Sequence, residues 1–245
     1  MVIRMIRLLK AEQMKLKRSP VWLAFLILPV IPAALGTMNY LANLELLRSE
    51  WYSLWTQHTL FTSYFFLPIM IGVYCAYLMR LEHTNHNWNK VLTMPISRAM
   101  IFLSKMCMAS FMILFSEAWI GILFILSGKL AGLTAQPPIK FLVIWCLLGA
   151  LGGMVMAAAQ LLLSMYIKSF ALPVGIAFAG GLSGLAALAK GFGHIWPYSL
   201  MAYGMNSNGP QKIMESGYGM FVNICAVYLI VFLLIGSRVM ERRDV

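Results

Sequence analysis

Six apolar stretches, at about residues 20–41, 60–79, 100–127, 141–166, 170–189 and 220–236, are each long enough to cross a bilayer as a helix, which takes about 20 mostly apolar residues. They fill most of the 245 residues. The chain is therefore expected to be an all-α integral membrane protein of six transmembrane helices, forming one transmembrane domain over residues 1–245 with no room for a soluble one.

Composition agrees, with 61% hydrophobic and only 11% charged residues, far from the roughly 25% charged of a soluble domain. The first apolar run follows six cationic residues, contains Pro29 and Pro32, and has no A-x-A-like site behind it. It is expected to stay in the protein rather than act as a cleavable signal. Cys75, Cys107, Cys146 and Cys225 each fall in a different apolar run, where cysteine acts as a small hydrophobe. Neither disulfides nor a metal cluster are expected.

A net charge of +11 raises the question of nucleic acid, but the placement of the charges points to a membrane instead. If the N-terminus is cytoplasmic, fourteen of the nineteen lysines and arginines fall on that side and five (Arg48, Lys129, Lys140, Lys190 and Lys212) on the other. That is the positive-inside distribution. Both termini are then expected in the cytoplasm.

On a helical wheel, residues 2–18 put Val2, Met5, Ile6, Leu9 and Leu16 on one side and Arg4, Arg7, Lys10, Lys15, Lys17 and Arg18 on the other. This predicts an amphipathic interfacial helix within residues 1–19 whose cations meet anionic membrane lipids. Residues 42–59 read as an external loop, with Trp51 and Trp55 at headgroup level. Small residues recur every four positions at Gly149, Gly153 and Ala157 and again at Gly175, Ala179, Ser183 and Ala187, beside Gly180 and Gly184. Such rows let helices approach closely, within one subunit in the first reading and at a subunit interface in the second. Residues 190–219 are external, yet carry Trp196, Pro197, Tyr198, Leu200, Met201 and Tyr203, so part of the segment is expected to be re-entrant, dipping into the outer leaflet.

Three motifs fall short of catalysis or metal binding. Gly181-Leu182-Ser183-Gly184 matches the GxSG of intramembrane serine proteases, but the nearest downstream base, His194, is 11 residues on, roughly 16 Å along a helix. A break at Gly191 or Gly193 would shorten that distance, so the reading stays open. His83-x-x-His86 has no third strong ligand near it and reads as a surface pair. Ser127-Gly128-Lys129-Leu130 lacks the first glycine and the final Ser or Thr of a phosphate loop. If ATP is used, another chain binds it.

Glu117 is the one carboxylate well inside an apolar run, and such residues usually face a bundle interior or a cavity. It is a candidate intramembrane polar site, functional or structural. The segment at residues 80–98 links the second and third runs. There Leu81, Asn85, Trp88 and Leu92 fall on one stripe. Pro95 would end a short helix, and Ser97 would cap the next.

These features resemble the type-two ABC export permeases. The motif is E-x5-W-x3-L-x2-P-x-S-R followed by I-x2-S-K, at Glu82, Trp88, Leu92, Pro95, Ser97, Arg98, Ile101, Ser104 and Lys105. In size and scarcity of external structure the chain looks most like lantibiotic-immunity and bacitracin-resistance permease subunits. The resemblance implies a non-catalytic subunit of the bacterial plasma membrane without a cofactor of its own, residues 80–98 acting as a cytoplasmic coupling helix. A separate ATP-binding cassette ATPase would dock through Glu82, Trp88, Leu92, Pro95, Ser97 and Arg98. A second copy or a paralogous permease would complete the pathway, and the cargo would be a peptide antibiotic. A lipid, drug or ion cargo, an intramembrane protease and a membrane scaffold are the alternatives.

Overall fold

The computed structural model describes residues 2–17, 19, 21–84, 88, 93, 96–210 and 217–242. These residues are helical throughout their ordered elements, with no strand among them. Six helices or helix pairs are long and apolar enough to cross a membrane: Val21–Ala42, Glu50–His83, Arg98–Leu130, Ile139–Tyr166, Ala171–Ala189 and Gly217–Glu241. A separate helix, Val2–Leu16, precedes them.

Two spans are interrupted, each at a proline. The first divides into Val21–Ile27 and Val30–Ala42 around Leu28-Pro29, because proline has no N–H to donate and its ring crowds the preceding turn. The second carries a π-helical turn, Thr62–Phe66, immediately before Leu67-Pro68. With no amide hydrogen on Pro68, the Tyr64 carbonyl has no donor four residues on, and the hydrogen-bond register slips there. Gly181 of the fifth span sits against that turn, where a Cβ would lie 2.6 Å from the Tyr64 carbonyl oxygen.

The second span begins ten residues before the apolar run that announced it, at Glu50 rather than about residue 60. Trp51 and Trp55 consequently face the bundle interior, 3% and 0% exposed, rather than an outer surface. Trp55 stacks on Trp145 at 5.1 Å between ring centroids and meets Phe124 edge-on at 5.0 Å. Each indole N–H finds a carbonyl, Trp51 on Ala135 and Trp55 on Met205. Polar residues of the same stretch are satisfied internally as well, Asn39 donating to Gln57 and His58 meeting Thr37 at 3.1 Å.

The fourth span is the hub. It packs on the second, third and sixth spans and on a short helix, Leu200–Gly204. Small residues allow these contacts within one chain. A Cβ at Gly153 would meet Ile113 and Ile71, and one at Gly152 would collide with the Leu200 backbone. Gly204 presses equally on Leu148. Gly175, in contrast, faces open space. The segment after the fifth span turns back at Gly191, whose φ of +80° is a left-handed value suited to glycine. It then lays Leu200, Met201, Ala202 and Met205 into the core. Tyr64 donates to Asn208, and its hydroxyl lies 3.1 Å from that of Ser207, which pins this segment to the π-helical turn.

Candidate functional site

The helix Val2–Leu16 packs on the third span at the end of the bundle that also holds the C-terminal helix end. Its inward residues are Leu8 and Leu9, half-buried, and Glu12 and Leu16, buried. Ile3, Ile6 and Met14 are exposed, as are Arg4, Arg7, Lys10 and Lys17. Lys15 departs from the basic face on which the wheel placed it and turns inward.

There it joins a cluster of four charges. Lys105, on the third span, is fully buried. Its Nζ donates to Glu82 Oε1 at 2.7 Å, to both Glu12 oxygens at 3.2 and 3.3 Å, and to the Leu78 carbonyl at 3.0 Å. Lys15 also donates to Glu12, at 3.0 Å, and to Glu82. Two ammonium groups and two carboxylates cancel. Burial of so many charges is tolerable only with this pairing. Burial works against the charge of Lys15, but Glu12 and Glu82 outweigh it and hold the ammonium above its ordinary pKa.

The cluster closes a loop. Glu82 and Lys105 flank the linker between the second and third spans, and Glu12 and Lys15 tie both flanks to the N-terminal helix. Glu82 was singled out from the motif, as Lys105 was, but Glu12 and Lys15 were not. A lone acid in a strongly basic helix is the signal that points to Glu12.

Within the linker, Trp88 is only 9% exposed. Its indole N–H donates to His83 Nδ1 at 3.1 Å, and His83 Nε2 lies 3.1 Å from the Ser164 carbonyl. Because an indole nitrogen only donates, His83 accepts at Nδ1 and carries its proton at Nε2, which donates to Ser164. His83 is thus half-buried and engaged through both ring nitrogens. Asn85, His86, Leu92 and Pro95 lie outside the described residues, as does the helix expected there. Ser97 occupies the N-cap position of the third span, but its hydroxyl makes no capping bond. Arg98 Nη1 donates to the Glu241 carbonyl at 2.9 Å, joining the third span to the end of the sixth. Arg80 stands 5.6 Å from the Phe170 ring centroid.

Glu117 is 1% exposed and its two carboxylate oxygens have no hydrogen-bond partner among the described residues. A Cβ at Gly149 would lie 2.9 Å from its Oε1, so glycine there leaves room for the carboxylate. Ser183 is engaged elsewhere than with a base: its hydroxyl donates to the Gly180 carbonyl and accepts the Trp196 indole N–H at 3.0 Å. Among the described residues there is no group of three or more His, Cys, Asp or Glu side chains suited to a metal ion.

No curated protein and no solved structure matches the chain. The family model for the ABC-2 family transporter protein matches residues 8–184, well over half the length, from within the N-terminal helix to the fifth span. That family implies an ATP-binding cassette partner. The chain belongs to the ABC-2 family transporter proteins, as a multi-pass membrane subunit of an ABC transporter.

Proposed function

We propose that the chain is the permease of an ATP-driven exporter, that its ATPase bears on residues 82–98, and that the cargo is an amphipathic peptide antibiotic of lantibiotic or bacitracin type, expelled for self-protection or resistance. The observation that carries the coupling role is the Glu82–Lys105 contact at 2.7 Å. It closes the linker at its base, so a push on residues 82–98 reaches the second span, the third span and the N-terminal helix together. A free linker would absorb the same push.

The bias of lysine and arginine supports an orientation with both termini cytoplasmic. The exposed apolar and basic residues of the N-terminal helix support a place at the lipid headgroups. The apolar segment around Leu200–Gly204 fits a re-entrant element in the outer leaflet, shielded by the second and fourth spans. The cargo follows from the resemblance in size and loop motif. A second copy or a paralogous permease completes the pathway.

Cysteines placed at Thr93 and Ser97, both exposed, test this reading by crosslinking in cells that also express the ATPase. Capture of the ATPase from these positions, and not from a cysteine at exposed Asn208, is the expected outcome. Capture from Asn208, or none from the linker, overturns it. Survival of the same cells on a lantibiotic or on bacitracin tests the cargo separately.

A further inference from the structure

Where the N-terminal helix meets the first span, a notch of about 390 Å³ opens between Gln13, Met14 and Lys17 on one side and Trp22 on the other. Lys10, Gln13, Met14 and Lys17 follow the i, i+3, i+4, i+7 spacing of one helix face, and all four are exposed. Among the described residues, the side chains of Lys10, Gln13 and Lys17 have no hydrogen-bond or ion-pair partner. Trp22 is a fixed wall. Its indole N–H donates to the Leu16 carbonyl at 3.0 Å, and its ring meets Phe25 and Phe115 edge-on at 5.4 and 6.4 Å between centroids. One turn along the same face of the span, Leu26 is 45% exposed and continues the apolar track. The notch carries charge of one sign only. Glu12, the one acid in Val2–Leu16, turns the other way and is held by Lys15 and Lys105.

We infer that this notch binds one anionic phospholipid, its phosphate on the Lys17 ammonium and the Gln13 amide and an acyl chain along Trp22 and Leu26. Lys17 supplies a charge-assisted donor, and Lys10, one turn back, raises the positive potential at the mouth. A zwitterionic lipid would bring an ammonium group that the notch cannot pair, since none of the described residues lining it is a carboxylate. A free phosphate ion would meet Lys17 but leave the apolar faces of Trp22 and Leu26 uncovered. Trp22 is the second residue of its helix, Val21–Ile27, so the notch opens where headgroups give way to hydrocarbon, a level that suits tryptophan. The inference rests on the placement of the N-terminal helix at the lipid headgroups, and it adds a single site with its own residues and its own selectivity.

The test uses the full chain in phosphatidylcholine nanodiscs with a trace of one of two photoreactive lipids, phosphatidylglycerol or phosphatidylcholine, each bearing a diazirine near the headgroup. The phosphatidylglycerol probe is expected to label residues 13–27 about tenfold above the phosphatidylcholine probe, a ratio that one hydrogen bond to a charged group commonly supports. Lys17→Gln should bring the two probes level, and Lys17→Arg should keep most of the difference. Arg4→Gln removes an exposed cation from another face of the same helix and should leave the ratio unchanged. An equal loss in K17Q and R4Q reduces the effect to a diffuse basic surface and overturns the site. Equal labelling by both probes in the unaltered chain makes the notch an ordinary place for bilayer lipid and does the same. Loss of the label to millimolar inorganic phosphate assigns the notch to a free anion and overturns the lipid. A spin label at exposed Ile3 separates this failure from that of the underlying placement. A label far out in water removes both, whereas a label at headgroup depth with no selectivity removes the site alone.

Discussion

Lys105 and Glu12 lie 93 residues apart in the chain, yet the Lys105 ammonium donates to both Glu12 carboxylate oxygens, at 3.2 and 3.3 Å. The N-terminal helix is thereby held on the third span by a charge that water does not reach.

Lys105→Met should leave the cluster with two carboxylates and one ammonium. Removing one partner from a buried ion pair costs about 3–5 kcal/mol, and a marked fall in unfolding temperature in detergent is expected. The double variant Glu82→Gln, Lys105→Met removes one charge of each sign and keeps the Lys15–Glu12 pair, so it should regain part of the loss. A double variant no more stable than K105M would refute pairing as the source of stability.

Trp88→Phe keeps a ring but deletes the N–H that reaches His83. One neutral hydrogen bond is worth about 0.5–1.5 kcal/mol, so the fold should survive while cargo-stimulated ATP hydrolysis by the assembled transporter weakens. Trp88→Ala should weaken it further. Wild-type stimulation in both variants would remove the linker from the coupling path.

Gly152→Ala should be destabilising although alanine is the better helix former by about 1 kcal/mol. Its methyl group would land on the Leu200 carbonyl and the Met201 nitrogen, and overpacking of this kind typically costs about 1–3 kcal/mol. Gly175→Ala, in a helix but facing open space, should be neutral or slightly stabilising. Thermal unfolding of the two variants side by side distinguishes contact from propensity.

The folded pKa of Lys15 is raised above its ordinary 10.5. The ammonium's contribution to stability is therefore fully present below that value and is lost only as pH rises through the folded pKa. Between about pH 7 and pH 10, a comparison of the unaltered chain with K15M should show a constant difference in unfolding temperature. A difference that shrinks within that range would contradict the pairing of Lys15 with Glu12 and Glu82.

The spans were legible because hydrocarbon imposes one composition on every helix that crosses it, and the missed start of the second span shows the limit of that rule. Residues 50–59 include Glu50, Gln57 and His58, which hydropathy scores as loop. Packed against Thr37, Asn39 and the Phe124 ring of the third span, Gln57 and His58 are satisfied by protein rather than water, while Glu50 stays exposed at the start of the helix. The tryptophans misled for a related reason, since an indole suits a headgroup layer or a buried carbonyl equally well. In the linker, the motif marked Glu82 and Lys105 but not what they hold. A wheel displays one helix at a time, and the partner helix begins far away in sequence.

The neutrality of the Glu12, Lys15, Glu82 and Lys105 quartet has a consequence for how this sequence can drift. Any single change of sign leaves an unpaired charge in a largely buried cluster, so each position on its own looks indispensable. Paired exchanges that preserve the total are far less damaging. Site-by-site scanning would therefore overstate the constraint on each residue and miss its epistatic character. Related chains should depart from this arrangement two positions at a time, with a change in the N-terminal helix matched by one beside the linker.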